Sequence, residues 1–282
     1  MNLLASRVFV PGAAVAAAAL FSWLNNGSGT QAVRACLGKP GQVLVPSSRR
    51  EDGTDSDSGH PFLIDRTEIT VGQFGAFVAA TGYRTHAERQ GWSAVFQPPS
   101  NAAASSSDWW IPVRGADWRH PLGLDKPAAS PEEPVTQVTY TDALAFAKWK
   151  GRDLPTPTEW ERAARGGDED PRYSLKWAYA ADGTPRANTW QGLFPYSNTN
   201  EDGFTGIAPV GCFAPNHYGL YDMIGNVWEL TQGTADATPV LKGGSYLCSF
   251  NACANFRPSA AMPQDIEIST PHVGFRTIRR IG

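Results

Sequence analysis

The chain has little charge and only a small excess of one sign. Of its 282 residues 18% are charged, and 24 Lys and Arg stand against 27 Asp and Glu, a net charge of −3. Without a basic field, the sequence predicts no nucleic-acid partner. Long periodic helical runs are few, whereas glycine (28), proline (22) and tryptophan (10) are plentiful. This mix predicts an irregular, loop-rich α+β fold with little regular secondary structure.

Several catalytic motifs are missing from the sequence. It contains no Gly-rich phosphate loop, no Gly-x-Ser-x-Gly elbow, no His-Glu-x-x-His helix and no EF-hand loop. The five histidines do not cluster along the chain, so a zinc site has no local support. Internal repeats and proline-rich linkers are absent as well, which predicts one domain over residues 36–282.

The first 35 residues differ from the rest of the chain. Arg7 precedes an apolar, alanine-rich run over Val8–Leu24, and small and polar residues follow as far as Ala35. This order is typical of an export signal, and an uncleaved membrane anchor is the alternative. We therefore predict a periplasmic protein with a signal peptide or anchor over residues 1–35. Export allows the four cysteines to pair, in three ways that the sequence does not distinguish: 36, 212, 248 and 253.

Local signals predict the regular elements. Strands are expected at 43–45 and within 61–69. A helix is expected from Thr70 to Gly82, and a second from Thr139 or Thr141 to Gly151. Thr156-Pro-Thr-Glu159 is a helix start, with a capping threonine and a reciprocal glutamate, and Gly166 ends that helix.

Two thiols, Cys248 and Cys253, follow the glycine pair Gly243-Gly244. Their spacing suits a small disulfide loop, which spacing alone favours, or a soft metal such as copper(I). Zinc would require two further ligands. Two segments rich in Asn, Asp and Gly, over 188–204 and 222–229, read as plain turns or as oxygen ligands for a hard cation. A third cluster, around Trp110 and Arg119, reads as packed core or as the lining of a cleft.

The order of many motifs resembles the formylglycine-generating enzymes, also called sulfatase-modifying factors. The motifs that carry the resemblance span about residues 61–276: Phe62–Thr70, Trp109-Trp110, Gly115–Pro121, Leu154–Thr156, Glu159-Trp-Glu161, Ala187–Gly192, Glu201–Phe204, Tyr218–Tyr221, Gly225-Asn-Val-Trp-Glu229, Gly243–Tyr246 and Gly274-Phe-Arg276. The resemblance implies an irregular C-type-lectin-like fold. It also reverses the interpretation of the acidic segments in favour of two structural calcium ions.

The resemblance further assigns roles to single residues. It implies a thiolate pair, Cys248 and Cys253, that binds copper(I) and uses dioxygen to oxidise a substrate cysteine to formylglycine. It implies a substrate cleft lined by Ser245, Trp228 and Arg257, to which we add Trp110 and Arg119. The implied calcium ligands are Asn188, Thr189 (carbonyl), Asp202 and Phe204 (carbonyl) in one set, and Asp222, Gly225 (carbonyl), Val227 (carbonyl) and Glu229 in the other.

The chain also departs from the family pattern near the thiols. Ala261 and Asn255 stand where the family has arginines, Ala252 replaces a tyrosine, and Ser249 a histidine. Gln137 replaces another histidine. Each lost arginine removes a bidentate anchor worth about 1.5–3 kcal/mol per charged hydrogen bond. We therefore expect a substrate that differs from the extended sulfatase peptide.

Three functions follow as hypotheses. The leading one is periplasmic maturation of the siderophore pyoverdine, by oxidation of a dihydro-chromophore precursor, as in an exported branch of the family, the PvdO-type proteins. Glu267 is then the candidate proton acceptor, and a surface acid is the alternative. The second is formylglycine generation on a sulfatase cysteine, and the third is a non-catalytic, calcium-stabilised binding module. The partner is a peptide or a peptide-derived siderophore, with a membrane tether as a further contact.

Overall fold

A computed structural model of the chain describes residues 36, 38–47, 59–99, 106–168, 175–233, 238–253 and 255–281. The segment predicted as a leader, residues 1–35, lies outside the described residues. Within the described ranges no helix is both long and apolar enough to cross a bilayer.

In the part of the chain that the structure describes, four α-helices begin at capping boxes. Each has a threonine N-cap whose side chain accepts from the third helical N–H, while the side chain at that third position accepts from the threonine N–H. The helices predicted after Thr70, Thr139 and Thr156 are confirmed, and the structure adds one after Thr85. Their bounds are α1 Val71–Thr81, α2 His86–Gln90, α3 Tyr140–Trp149 and α4 Pro157–Arg165.

Within the described ranges, nine short strands form three small sheets. Their bounds are β1 Gln42–Val45, β2 Phe62–Asp65, β3 Trp92–Phe96, β4 Trp110–Arg114, β5 Trp228–Thr231, β6 Val240–Lys242, β7 Ala261–Pro263, β8 Val273–Phe275 and β9 Ile278–Arg280. The described sheets have the orders β1-β2-β9, β3-β4 and β7-β6-β5-β8, and only the β5–β8 pair is parallel. Most of the described chain is turn or irregular loop, as the composition predicts.

An aromatic core holds the loops and helices together. Phe74 of α1 contacts Phe146 of α3 and Phe275 of β8, with ring centroids 5.9 and 6.4 Å apart. Trp228 of β5 and the thiol of Cys248 belong to the same buried cluster. The segment that carries Cys248 is therefore packed into the main hydrophobic core.

A disulfide joins Cys36 to Cys212, 176 residues later. Beside it, the Gly38 N–H donates to the Gly211 carbonyl at 3.2 Å. A Cβ on Gly211 would lie 2.2 Å from the Gly38 Cα atom, so the close approach requires glycine. The first described residue is thus tied to the loop that precedes Asp222.

Candidate functional site

Residues 248–253 form a tight turn that brings two thiols together. The Sγ atoms of Cys248 and Cys253 lie 3.0 Å apart, and both cysteines are free. The Ser249 N–H donates to the Ala252 carbonyl at 2.9 Å and closes the turn. Cys253 then adopts a left-handed conformation with φ 53°. We call residues 248–253 the thiol loop.

The two thiols differ in exposure and in acidity. Cys248 is 1% exposed, and burial, together with the hydrogen bond to Cys253, raises its pKa well above the usual range. Cys253 is exposed, and the hydrogen bond with Cys248 lowers its pKa to about 7 against the opposing effect of partial burial. Asn255 Nδ2 also donates to the Cys253 sulfur at 3.4 Å. Near neutral pH, the loop therefore pairs a buried thiol with an accessible, partly ionised one.

The thiol loop is anchored to the segment 190–197. The Trp190 N–H donates to the Cys248 carbonyl at 2.9 Å. The Asn251 side chain brackets Phe194, accepting from its N–H at 3.1 Å and donating to its carbonyl at 2.9 Å. These bonds hold the tip of the loop in place, which favours a fixed distance between the sulfurs.

The predicted substrate-binding residues divide into two groups. Ser245 lies directly under the thiols, since its N–H donates to Cys248 Sγ at 3.4 Å. Arg257 is half-buried on the segment that follows the loop, and its N–H donates to the Asn255 carbonyl. Trp228, by contrast, is 1% exposed within the core. A direct contact between its ring and a substrate would require core side chains to move.

Trp110 and Arg119 occupy different surroundings. Trp110 of β4 packs on Phe96 at 5.6 Å, and Phe96 stacks on Phe194, which connects it with the segment beside the thiol loop. The Arg119 guanidinium covers Trp118 at 4.0 Å and pairs with Glu88 at 2.6 Å. Its described contacts thus lie with α2 and the Trp118 ring.

The first predicted calcium set is partly assembled. Asp202 Oδ2 accepts from the Thr189 N–H at 3.0 Å and from Gln191 Nε2 at 2.8 Å, and Asp202 Oδ1 accepts from the Phe204 N–H. Gln191 Nε2 also donates to the Thr189 carbonyl. A carbonyl and a carboxylate oxygen of the set thus converge on one amide group. The fourth member, Asn188, donates from Nδ2 to the Gly206 carbonyl at 2.8 Å.

The second predicted calcium set is divided between two partners. Both carboxylate oxygens of Glu229 accept from Arg276, at 2.7 and 2.6 Å, and one accepts from Trp160 Nε1 as well. Asp222 instead accepts from the Gly211 N–H at 2.5 Å. Gly225 and Val227, whose carbonyls complete the set, are buried between the two acids in the chain.

A third buried acid, Glu68, joins this region. Its Oε1 accepts from Asn226 Nδ2 at 3.1 Å, while its Oε2 is buried without a hydrogen-bond partner. Burial and the nearby Asp222 carboxylate raise the pKa of Glu68 well above its usual range. Burial likewise raises the pKa of Asp222 to about 6. Glu68, Asp222 and Glu229 thus face one buried cation, Arg276, and this surplus of acids favours the neutral form of Glu68.

Side chains alone do not complete either calcium set. In the described part of the chain, no three His, Cys, Asp or Glu side chains are grouped as metal ligands. Each set therefore depends on its backbone carbonyls, which is the kind of mixed oxygen ligation that calcium accepts.

Comparison with known proteins places the chain in a family. The model of the sulfatase-modifying factor enzyme 1-like domain matches residues 28–281. The formylglycine-generating enzyme of Thermomonospora curvata is 43% identical over 245 residues, covering 77% of this chain and 81% of that enzyme. The chain belongs to the formylglycine-generating-enzyme family.

A further sequence relative and a structural neighbour extend the comparison. A Bos taurus protein named inactive Cα-formylglycine-generating enzyme 2 is 37% identical over 282 residues, covering 90% of each chain. The structure of PvdO from Pseudomonas aeruginosa has a TM-score of 0.55 and 21% identity, covering 86% of this chain and 92% of that one. At that identity the PvdO likeness shows the fold alone, and it confirms the family's irregular α+β architecture.

Glu267 lies on an exposed stretch of this family fold. It follows β7, and its N–H donates to Asp265 Oδ1 at 2.9 Å. Ile266 and Ile268 on either side are also exposed, at 45% and 48%. Glu267 is thus accessible to a substrate, and its role as a proton acceptor stays a prediction.

Sequence reasoning missed several residues of the site. Glu68 lies in the Phe62–Thr70 motif, where Asp65 and Arg66 also stand, so no local signal in the sequence marks it as a buried acid. Gln191 lies in a segment predicted as a loop. Its contact with Asp202 of the first calcium set forms only in the folded chain. Phe250 lies between the two cysteines and stacks on Tyr179, with ring centroids 4.8 Å apart. A large aromatic residue between two closely spaced cysteines is the sequence signal that could have indicated a ligand-binding surface.

Proposed function

We propose that the chain oxidises a cysteine of a peptide or protein substrate to formylglycine through Cys248 and Cys253. The cysteine sulfur leaves as hydrogen sulfide, and dioxygen is reduced to water with two electrons from the cysteine and two from an external thiol. The observation that carries the proposal is the thiol pair, 3.0 Å apart, with one sulfur buried and the other accessible. An exposed sulfur with a pKa lowered to about 7 is available to a metal or a substrate thiol near neutral pH. The 43% identity to the enzyme from Thermomonospora curvata supports the same reaction.

The chain's own residues would prepare this reaction. Cys248 and Cys253 form a soft two-sulfur donor set that fits copper(I), and a bound copper(I) ion would supply the electron chemistry with dioxygen. Ser245 holds the Cys248 sulfur through its N–H, and Asn255 supports the charge on Cys253. The buried side of the loop excludes water from Cys248, while the exposed side admits the substrate thiol.

The experiment uses the full chain, copper-loaded, with a Cys-x-Pro-x-Arg peptide, air and a thiol reductant, and follows the peptide by mass spectrometry. We expect conversion by the wild type, and a loss of at least about a hundredfold in Cys248→Ser and in Cys253→Ser. The Cys36→Ser/Cys212→Ser double variant is the matched control, because it removes two cysteines and keeps the thiol pair. Equal turnover in all variants would contradict the proposal, and binding without turnover would support a binding module instead.

We also propose that the two oxygen-rich sets bind calcium. The convergence of the Thr189 carbonyl and Asp202 carboxylate supports the first site, and the unpartnered Glu68 oxygen beside Asp222 supports a cation at the second. Calcium added to protein stripped with a chelator should raise its melting temperature, because a ligand at a hundred times its Kd stabilises by about 2.7 kcal/mol. Asp202→Asn should reduce this gain, whereas Asp182→Asn, in a separate exposed turn, should not. The absence of calcium binding in a calorimetric titration would contradict the proposal of calcium sites.

A second candidate function is maturation of pyoverdine by oxidation of its dihydro-chromophore precursor in the periplasm. Ala252 in the thiol loop and Asn255 just after it favour this function, since the resemblance implies larger side chains at both positions. Its test is the incubation of the full chain with dihydropyoverdine, followed by fluorescence. Loss of activity in Glu267→Gln with retention in Cys248→Ser would support it. The reverse pattern would favour the thiol mechanism.

A further inference from the structure

We propose that a cavity walled by the thiol loop binds an aromatic or branched aliphatic side chain of the substrate that lies next to a positive charge. The proposal rests on the proposed oxidation of a peptide substrate, and it assigns to that site a specificity pocket. The cavity measures about 490 Å³. Ligand pockets commonly measure roughly 300–1,000 Å³.

Phe250 connects this cavity with the reacting sulfurs. It stands two residues after Cys248 and three before Cys253, and its side chain is 56% exposed. The Ser249–Ala252 bridge closes the turn, so the Phe250 backbone lies within the same six-residue loop as both cysteines. A group that binds against Phe250 therefore lies beside the loop that carries Cys253.

Aromatic and aliphatic side chains form the walls. The Tyr179 ring stacks on Phe250 at 28° and 4.8 Å, and Phe256 supports Phe250 edge-on at 5.3 Å. Leu175, at the cavity lining, is 48% exposed. Offset stacking on such rings is worth about 0.5–1.5 kcal/mol beyond the area buried. The cavity thus favours a flat or branched apolar group.

The charges at the cavity select a cation beside that group. Lys176 lines it but pairs with Asp168 at 2.8 Å, which neutralises its charge locally. Glu201 also lines it and is exposed, with one carboxylate oxygen accepting from Thr199 Oγ1. With Lys176 paired, Glu201 supplies the remaining charge among the lining residues, so a basic residue or amine adjacent to the apolar group is favoured.

A binding experiment tests the pocket without relying on catalysis. Tryptamine and indole-3-propionate carry the same ring with opposite charges, and calorimetry gives the Kd of each for the full chain. We expect tryptamine to bind at least about fivefold more tightly, and Glu201→Gln to remove that difference. Phe250→Ala should weaken tryptamine about tenfold, a loss of about 1.4 kcal/mol. Ala181→Leu, which narrows the cavity with little risk to folding, should weaken it too.

A kinetic experiment tests the link to substrate. In Cys-x-Pro-x-Arg peptides, tryptophan replaces alanine at successive positions on both sides of the cysteine, and the ratio of kcat/KM for Trp over Ala is measured. We expect a ratio of about ten at one position. Phe250→Ala should bring it to about one, while Trp92→Ala, a remote exposed aromatic, should keep it.

The outcomes separate this proposal from the proposed function. Turnover of all peptides with no preference, together with equal binding of the two indoles, would overturn the pocket and leave the oxidation standing. Tryptamine binding that depends on Phe250, with no turnover of any peptide, would overturn the oxidation and support the pocket.

Discussion

At the scale of single residues, the structure gives two identical side chains different chemistry. Cys248 and Cys253 lie in contact, yet one belongs to the core and the other faces solvent. Their hydrogen bond favours the thiolate at the exposed member, because a donor stabilises a nearby negative charge. The buried thiol remains the donor, since burial penalises its own ionisation.

Alkylation by iodoacetamide should report this difference. The rate at Cys253 should rise with pH to a plateau, with its midpoint near pH 7, because only the thiolate reacts and its pKa is lowered to about 7. Cys248, whose pKa is raised, should stay unmodified over the same range. Cys248→Ala should shift the Cys253 profile to higher pH, whereas Cys248→Ser, which keeps a donor, should shift it less. An unchanged profile in Cys248→Ala would rule out the hydrogen bond as the cause.

At the scale of elements, a buried ion pair joins β5 to the end of β8. Arg276 is fully buried, and it donates to Glu229 on β5 and to the carbonyls of Asp65 and Tyr221. It is the cation that faces three buried acids. The pairing of four separate segments thus depends on one guanidinium group.

Arg276→Met should therefore be strongly destabilising. Removing one partner of a buried ion pair costs about 3–5 kcal/mol, because the other charge stays buried and uncompensated. Arg280→Met is the matched control: its side chain is 43% exposed and pairs with Asp153 and Glu159, so we expect a loss of about 0–1 kcal/mol. Urea unfolding of both variants, with a chelator present, measures the free energies of unfolding. Similar losses of unfolding free energy in the two variants would contradict a special stabilising role for the buried Arg276.

The two candidate calcium segments meet at Gly225, whose φ is 77°. A Cβ there would lie 2.3 Å from the Asn188 carbonyl oxygen, a backbone atom that the Asn226 N–H also binds. The contact holds the second segment against the first, so changes at one site should reach the other.

Gly225→Ala should lower stability more than a comparable change elsewhere. Gly219 has a φ of 81° but open space around it, so Gly219→Ala incurs only the left-handed strain of about 1–2 kcal/mol. Gly225→Ala adds a clash with the Asn188 backbone. Thermal melts of both variants, with and without calcium, compare the two. An equal fall in melting temperature would show that the close approach contributes nothing.

At the scale of the whole molecule, the Cys36–Cys212 disulfide closes a loop of most of the chain. In the chain-entropy account, a cross-link over a long loop stabilises by restricting the unfolded state. The described helices and strands are short, and most of the described chain is loop. The disulfide therefore adds a long-range restraint to a fold that depends mainly on loop contacts.

Replacement of both cysteines tests this contribution. Cys36→Ser/Cys212→Ser should lose roughly 2–5 kcal/mol of unfolding free energy. A thiol reductant should lower the stability of the wild type toward that of the double variant and leave the variant unchanged, because Cys248 and Cys253 are already free. A reductant effect of equal size on both proteins would point to another cause.

Local chemistry made much of the fold predictable. The helix starts at Thr70, Thr139 and Thr156 depend on hydrogen bonds within four residues, and the structure confirms them. The family and its fold class were likewise readable from ordered motifs. The surroundings of Trp228 and Glu229 could not be predicted, because a sequence motif does not show which side chains will contact its residues in the fold.

Motif order and composition are enough to predict the family, the irregular α+β architecture and a closely spaced cysteine pair. Only the tertiary structure shows that Cys36 pairs with Cys212, that Glu229 contacts the buried Arg276, and that Phe250 stacks on Tyr179 at the cavity. The reason is distance along the chain. Caps and turns are set by bonds between near neighbours, whereas these contacts exist only after segments far apart in sequence have packed together.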